Sequence, residues 1–294
     1  MHIPVLLNEV IKIFDPQPNE NFIDATVGEA GHTLCLLQKT SPSGRILGID
    51  LNEETLEIAQ EKLKAFGNRA ILVCDNFKNL ERIVEENKFK NIRGILFDLG
   101  MSSRELEVSG RGFTFQKDEP LLMNFGRDAL LTAEQIVNNW PMEELAKIFE
   151  EYGEERYSRK IAEAVVKKRE EKPVKTTFEL VEIIKTALPK RAGHGRLHPA
   201  TRVFQALRIT VNDELNNLKA GLEAALKILE NNGKIIVISF HSLEDRIAKE
   251  FFRQNMDSLN IITKKPIKPV KVEVLNNPRA RSAKLRAAQK ILNK

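Results

Sequence analysis

Short apolar runs and longer amphipathic stretches alternate along the first third of the chain, and four of the runs end in an aspartate. Asn21-Phe22-Ile23 leads into Asp24, Arg45–Ile49 into Asp50, Ala70–Cys74 into Asp75, and Ile92–Phe97 into Asp98. The aspartates stand 26, 25 and 23 residues apart, the length of one strand plus one crossover helix. Helical spacing between them predicts helices over 31–39, 53–66 and 77–86, with Glu53-Glu54 in a first turn and Gly67 as a C-cap. An earlier helix runs from Val5 to Phe14 and stops at Asp15-Pro16. Repeated units of this kind predict an α/β fold with a parallel, right-handed sheet.

The alternation stops after Asp98. Residues 99–128 read as a long structured loop rich in Gly, Ser and charge. From 132 to 211 only helical periodicity remains, at Ala133–Asn139, Glu143–Tyr152, Glu155–Arg169, Thr177–Ala187 and Ala200–Val211. The strand pattern then returns. Asp213 is placed to cap a helix reaching Glu230, Ile235–Ser239 is a strand, and a helix follows from Leu243 to Phe252. Strands near 259–263 and 283–290 bring the total to seven. The expected organisation is a discontinuous α/β domain of residues 1–112 and 212–294, interrupted by an all-helical domain of residues 113–211. Inserts after the C-terminal end of a strand commonly serve as lids or substrate platforms.

In an open parallel sheet the C-terminal ends of the strands share one edge, and ligands bind there. Four carboxylates on that rim suit cationic groups and ribose hydroxyls better than phosphates. The turn Asp24-Ala25-Thr26-Val27-Gly28-Glu29-Ala30-Gly31-His32 carries two glycines three apart with a glutamate between them. A dinucleotide fingerprint needs a third glycine, and an acid in the phosphate cradle would oppose the ligand's charge. A dehydrogenase is thereby disfavoured and a phosphate-free nucleoside favoured. Asp50 is placed to bind both ribose hydroxyls. Asp75-Asn76-Phe77 offers a polar partner for an exocyclic amine and an aromatic ring for an adenine face. This ordered set fits S-adenosylmethionine. In such a layout Asp98, in Phe97-Asp98-Leu99-Gly100-Met101-Ser102-Ser103, faces the sulfonium and the methyl acceptor; it equally suits a cap on the Ser102 or Ser103 amide.

Composition narrows the setting. No stretch approaches the ~18 consecutive apolar residues of a membrane span, and residues 1–20 carry no signal-peptide pattern. Cys35 and Cys74 sit in apolar segments and read as buried free thiols, which points to the cytoplasm. The net charge of +5 is uneven: residues 264–294 carry ten Lys or Arg against Glu273 alone, leaving −4 for residues 1–263. Lys185, Lys190, Arg191, Arg196, Arg202 and Arg208 form a second basic stretch without an acid. Both fit a polyanionic partner such as RNA. His194 and His198 are four apart, but Gly193, Gly195 and Pro199 break any helix between them, so no metal site is expected.

Several longer motifs resemble one family. Phe22–Thr33, Asp98–Ser103, Arg111-Gly112-Phe113, Glu151–Arg156, His198-Pro199-Ala200-Thr201-Arg202, Phe204–Arg208, Ser239–Arg246 and Asn277–Ser282 are similar to the MraW (RsmH) family of small-subunit ribosomal RNA methyltransferases. The resemblance runs nearly end to end and implies a class I (Rossmann-like) methyltransferase fold with a helical insert. It implies S-adenosylmethionine-dependent methylation of the N4 amine of a cytosine in the decoding region of 16S ribosomal RNA, within the small subunit; the sequence makes no obligate protein partner evident. Carried over by motif, the cofactor contacts are Ala30, Gly31, His32, Asp50, Phe77, Asp98 and Glu105. Candidate substrate contacts are His198, Arg202, Arg208, Arg279 and Arg281. Three departures stand out. Ala30 replaces a usual glycine, tolerable if φ stays negative; Glu105 replaces a glutamine or histidine; and Pro120-Leu121-Leu122-Met123-Asn124 replaces Pro-Leu-Asp-Met-Arg.

Cytosine's amine is conjugated with its ring and is a poor nucleophile, so a hydrogen-bond acceptor at that amine is required. Asp98 is the candidate, helped by the Leu99–Ser102 backbone. His241 is a candidate donor or weak base on the same edge; it equally suits fixing its loop through Glu244 or Asp245. Two alternatives keep part of this picture. An amino methyltransferase acting on DNA or protein would share the cofactor, and a non-catalytic rRNA-binding assembly factor would share the RNA surface.

Overall fold

The structure, a computed structural model, describes residues 3–101, 108–126, 131–189 and 198–292. It divides into two compact units, Met1–Gly100 with Leu215–Lys294, and Met101–Glu214. The first is built on a seven-stranded sheet. Its strands are β1 (Asn21–Asp24), β2 (Ile46–Asp50), β3 (Ala70–Cys74), β4 (Ile92–Asp98), β5 (Lys234–Ser239), β6 (Leu259–Ile261) and β7 (Lys284–Lys290), in the order β3-β2-β1-β4-β5-β7-β6. The first five pair in parallel, and β7 runs antiparallel between β5 and β6. This is the expected class I methyltransferase architecture.

Parallel strands covered on both faces read as continuous apolar runs because successive side chains point to opposite layers. Ile23, Leu47, Ile95, Phe97, Ile235 and Val237 join one core layer, and their neighbours Phe22, Ile46, Leu96, Ile236 and Ile238 join the other. The second layer is closed by α1 (Leu7–Phe14), α2 (Gly31–Lys39) and α3 (Glu53–Leu63). The first is closed by α4 (Leu80–Glu86) together with residues 214–228 and 242–254. Register fixes the rim: Asp24 pairs with Gly48, Asp50 with Cys74, and Asp98 with Ile238.

The insert unit holds α5 (Ala133–Asn139), α6 (Met142–Glu151), α7 (Ser158–Glu171), α8 (Thr177–Ala187) and α9 (Thr201–Asn212) around its own apolar core. Capping boxes at Thr132/Gln135 and Thr176/Glu179 start α5 and α8. Returning to the first unit, α10 (Glu214–Ile228), α11 (Ser242–Gln254) and α12 (Lys271–Asn276) complete the helices. Among the described residues no helix is long and apolar enough to cross a membrane.

Several local expectations are corrected. Asp213 does not cap the following helix; it takes a left-handed conformation (φ 50°) and closes α9. Gly67 does not directly end α3, which tightens at Leu63 into a 3₁₀ turn over Lys64–Arg69, inside which Gly67 breaks the helix at φ 55°. The helix expected from 77 begins as a 3₁₀ turn, Phe77–Asn79, because the Asn76 side chain accepts the Lys78 N–H. Residues 155–157 stay outside α7, where buried Glu155 accepts the Tyr157 N–H at 2.9 Å. Cys74 is exposed and Cys35 half-buried, so neither is the core thiol expected from its apolar run.

Gly94 lies where β4 crosses beneath Phe14 and Phe22, whose rings pack 5.2 Å apart. A Cβ there would come within 2.6 Å of both rings. Gly94→Ala is expected to cost about 1–3 kcal/mol, read as a lowered urea midpoint; an unchanged midpoint would mean that both rings turn aside freely.

Candidate active site

Strand β1 delivers Asp24 to the rim, and the turn behind it is held by side chains that accept backbone amides. Asp24 is buried and accepts from the Thr33 hydroxyl at 2.7 Å and from the Thr26 amide at 3.4 Å. Thr26 in turn accepts the Asp98 amide on its hydroxyl at 2.7 Å, so one threonine ties the ends of β1 and β4 together. Asp50 accepts the Gly28 amide at 2.9 Å through one oxygen and the Asn52 amide at 2.9 Å through the other. Gly28 has φ 49°, a left-handed position that glycine adopts without strain.

Ala30 also takes a left-handed conformation, with φ 64°. The condition set for an alanine here, a negative φ, is therefore not met. The turn keeps the backbone path suited to glycine and bears the strain instead. Gly31 is constrained differently: a Cβ would come within 2.5 Å of Pro4 Cγ. The N-terminal residues are therefore part of the turn's environment. Glu29, between the glycines, is paired with Lys62 at 2.7 Å.

His32 is buried directly behind the rim. Its Nε2 lies 3.0 Å from the Val5 carbonyl oxygen. A carbonyl can only accept, so Nε2 carries the proton and Nδ1 presents a lone pair. That lone pair lies 3.7 Å from Asp98 Oδ2. Asp98 also accepts the Gly100 amide at 3.4 Å. Burial pushes Asp98 up to about 7; the Gly100 amide opposes the shift and the Glu244 carboxylate adds to it. Burial pushes Asp24 up to about 6, against the pull of His32 and the Thr33 hydroxyl. Asp50 is also raised by burial, against its amide donors, and burial lowers His32. A cation at this rim would relieve all three carboxylates, and among the residues described around them no lysine or arginine supplies one.

Phe77 is half-buried and meets Phe97 edge-on, with centroids 5.5 Å apart. Beside it Asp75 is occupied by Arg82, the Asn76 amide and the Asn79 side chain. His241 is the N-cap of α11: its Nδ1 accepts the Glu244 amide, and Glu244 accepts the Phe240 and His241 amides in return. Its Nε2 lies 3.0 Å from Glu244 Oε1 without forming a hydrogen bond. Both ring nitrogens therefore face Glu244, as the loop-fixing reading of this histidine requires.

Among the substrate candidates, His198 is exposed and stacks on Phe115 at 4.5 Å. Arg202 lies 3.9 Å from buried Glu155, whereas Arg208 is mostly buried and gives Nε and Nη2 to Glu214. Arg279 and Arg281 sit on the turn Pro278–Ser282, the first half-buried and the second exposed. Glu105, Ser102 and Ser103, His194 and the basic residues Lys190, Arg191 and Arg196 lie outside the described residues. Thr26, Thr33 and the Val5 carbonyl were not singled out by sequence reasoning. The threonines had a faint signal, one two residues after the aspartate and one on the helix that follows; the carbonyl had none.

A family model described as the MraW methylase family matches residues 1–291. Proteins named ribosomal RNA small subunit methyltransferase H are similar along their whole length. That of Geotalea daltonii is 44% identical, over 99% of this chain and 98% of its own. Those of Halothermothrix orenii and Geobacter sulfurreducens are each 45% identical, over 99% of both chains. An rRNA methylase of Streptococcus thermophilus of known structure aligns over 99% of this chain and 100% of its own, at 11% identity and a TM-score of 0.48.

Left-handed alanine costs roughly 1 kcal/mol relative to glycine. Ala30→Gly is accordingly expected to raise the thermal midpoint; a fall would show that the turn relaxes around the alanine.

Proposed function

We propose that this chain, which belongs to the MraW methylase family, transfers the methyl group of S-adenosylmethionine to the N4 amine of a cytosine in the decoding region of 16S ribosomal RNA. The observation that carries the reading is the mostly buried Asp98 carboxylate at the end of β4, pushed up to about 7, with the His32 imidazole 3.7 Å away and, among the described residues, no lysine or arginine beside it. It is supported by the names of relatives that match the chain from end to end. The substrate is ribosomal RNA in the cytoplasm, presented by the small subunit.

The residues present fit the cofactor. Asp50 would hold the ribose hydroxyls, its own position fixed by the Gly28 and Asn52 amides. Phe77 would lie against the adenine, and the Ala30-Gly31-His32 backbone would border the amino-acid end. Glu29 with its Lys62 partner excludes a pyrophosphate from the glycine turn. When bound, S-adenosylmethionine supplies an electrophilic methyl group on a sulfonium. A positive charge beside Asp24 and Asp98 stabilises their ionised forms and offsets the cost of burying them.

Asp98 then does the protein's share of the chemistry. Its carboxylate accepts a hydrogen bond from the cytosine amine, which localises the nitrogen lone pair. The proton that the amine gives up on methylation would pass to Asp98. His32 presents the Nδ1 lone pair 3.7 Å away and can hold that proton next. Thr26 fixes the Asp98 backbone, so the carboxylate is aimed before the base arrives. The base must leave its stack to reach the rim. His241 is a positioning residue, holding the loop after β5 through Glu244. His198, Arg202, Arg279 and Arg281 supply contacts to RNA.

Three measurements test the reading. Labelled cofactor and small subunits are expected to yield N4-methylcytidine on nucleoside mapping; label in another nucleoside would overturn the substrate. The active form of Asp98 is the carboxylate, so kcat/KM is expected to fall about tenfold per pH unit below about pH 7. Asp98→Asn is expected to lose about 10²–10⁴-fold in turnover while S-adenosylmethionine still binds by calorimetry. A flat acid limb together with near-wild-type turnover would remove Asp98 from this role.

A further inference from the structure

At the far end of the sheet from β3, a cavity of about 470 Å³ opens beside edge strand β6. Phe252 and Leu259 give it an apolar floor, and Lys249, Arg253, Lys264 and Arg286 surround it with no carboxylate in the lining. Arg286 is buried and fixed by Asp245, to which it gives Nε at 2.6 Å and Nη2 at 3.3 Å. Lys249, Arg253 and Lys264 are exposed, and among the described residues none of them is ion-paired. Elsewhere on the surface Lys62, Lys168, Lys172, Lys185 and Lys227 each find a carboxylate within 2.8 Å. Lys249 and Arg253 lie one helical turn apart on α11, a like-charge spacing that weakens a helix.

Three unneutralised cations around one concavity, with a fourth held at its base, make a site for an anion. We propose that this cavity binds the sugar–phosphate backbone of a single-stranded RNA segment, away from the carboxylate rim, so that the substrate strand is anchored at a second place on the sheet domain. The proposal rests on the reading of ribosomal RNA as substrate. Phosphate oxygens meet the Lys249, Arg253 and Lys264 side chains, and the apolar floor accommodates a sugar or an unstacked base. The occupant is RNA because the lining is cationic at its rim and lacks any acceptor carboxylate for a basic peptide.

The test measures binding of a labelled single-stranded oligoribonucleotide to the full chain across a salt series. The K249E/R253E variant is expected to bind about tenfold more weakly, with the slope of log affinity against log salt reduced by about 1.4, two contacts at about 0.7 each. A control, K64E/K90E, reverses two exposed lysines outside the cavity and is expected to leave affinity and slope unchanged. Unaltered calorimetric binding of S-adenosylmethionine shows that both variants are folded. Equal losses in the two variants, or none in K249E/R253E, would overturn the cavity while leaving the RNA reading intact. Failure of the unaltered chain to bind RNA would overturn both. Retained RNA affinity with lost binding to whole small subunits would assign the surface to a protein partner and overturn the proposal as well.

Discussion

Carboxylates removed from water must be hydrogen-bonded or neutralised, and this molecule arranges its sheet edge around that requirement. Among the described residues, no lysine or arginine stands beside Asp24, Asp50 or Asp98 to compensate them. They are compensated by backbone amides and the Thr33 hydroxyl, which satisfy oxygens without cancelling charge. The resulting rim is rigid and electrostatically incomplete. The Thr26 hydroxyl matters most in this respect because it joins the β1 turn to the β4 end. A single hydroxyl thereby couples the glycine turn to the carboxylate proposed to meet the acceptor.

The same constraint explains the division of labour between the two ends of the sheet. The parallel strands β1, β2 and β4 end in acids, as does the turn after β3, and this rim suits a small cation-bearing ligand. The antiparallel edge at β6 and β7 is bordered by lysine and arginine. An enzyme that brings a cationic methyl donor to a polyanionic acceptor needs both signs, and separating them keeps each from neutralising the other. Asp245 is the exception: it accepts Nε and Nη2 of Arg286 and holds that guanidinium in place.

Much of the fold was legible because buried parallel strands leave an unambiguous trace. The runs ending at Asp24, Asp50, Asp75 and Asp98, and the strand at 235–239, are apolar on both faces and could not be mistaken for surface helices. Boundaries were harder where one side chain decides the outcome. Asn76 starts a 3₁₀ turn because its side chain accepts the Lys78 amide, and Asp213 closes a helix by giving its own amide to the Ile209 carbonyl from a left-handed conformation; periodicity registers neither. Positive φ at Ala30 was invisible for the same reason: the turn imposes it, and alanine's own preference argues against it. Among site residues, the aspartates announced themselves by ending strands. The Val5 carbonyl that sets the His32 tautomer lies 27 residues away in sequence and could be found only in three dimensions.

Strand β7 sits between β5 and β6 although it follows both in the chain. During synthesis β5 therefore waits with one edge unpaired until residue 290 has been made. The helical insert, which lies within Met101–Glu214, is complete in sequence long before that point. The insert can condense early, whereas the catalytic sheet stays open on the β5 side and closes in a late, long-range step of the slow, high-separation kind. An exposed β5 edge rich in isoleucine and valine is a template for intermolecular pairing. The interval between residues 239 and 290 is accordingly the window in which a nascent chain of this topology is most open to misassembly.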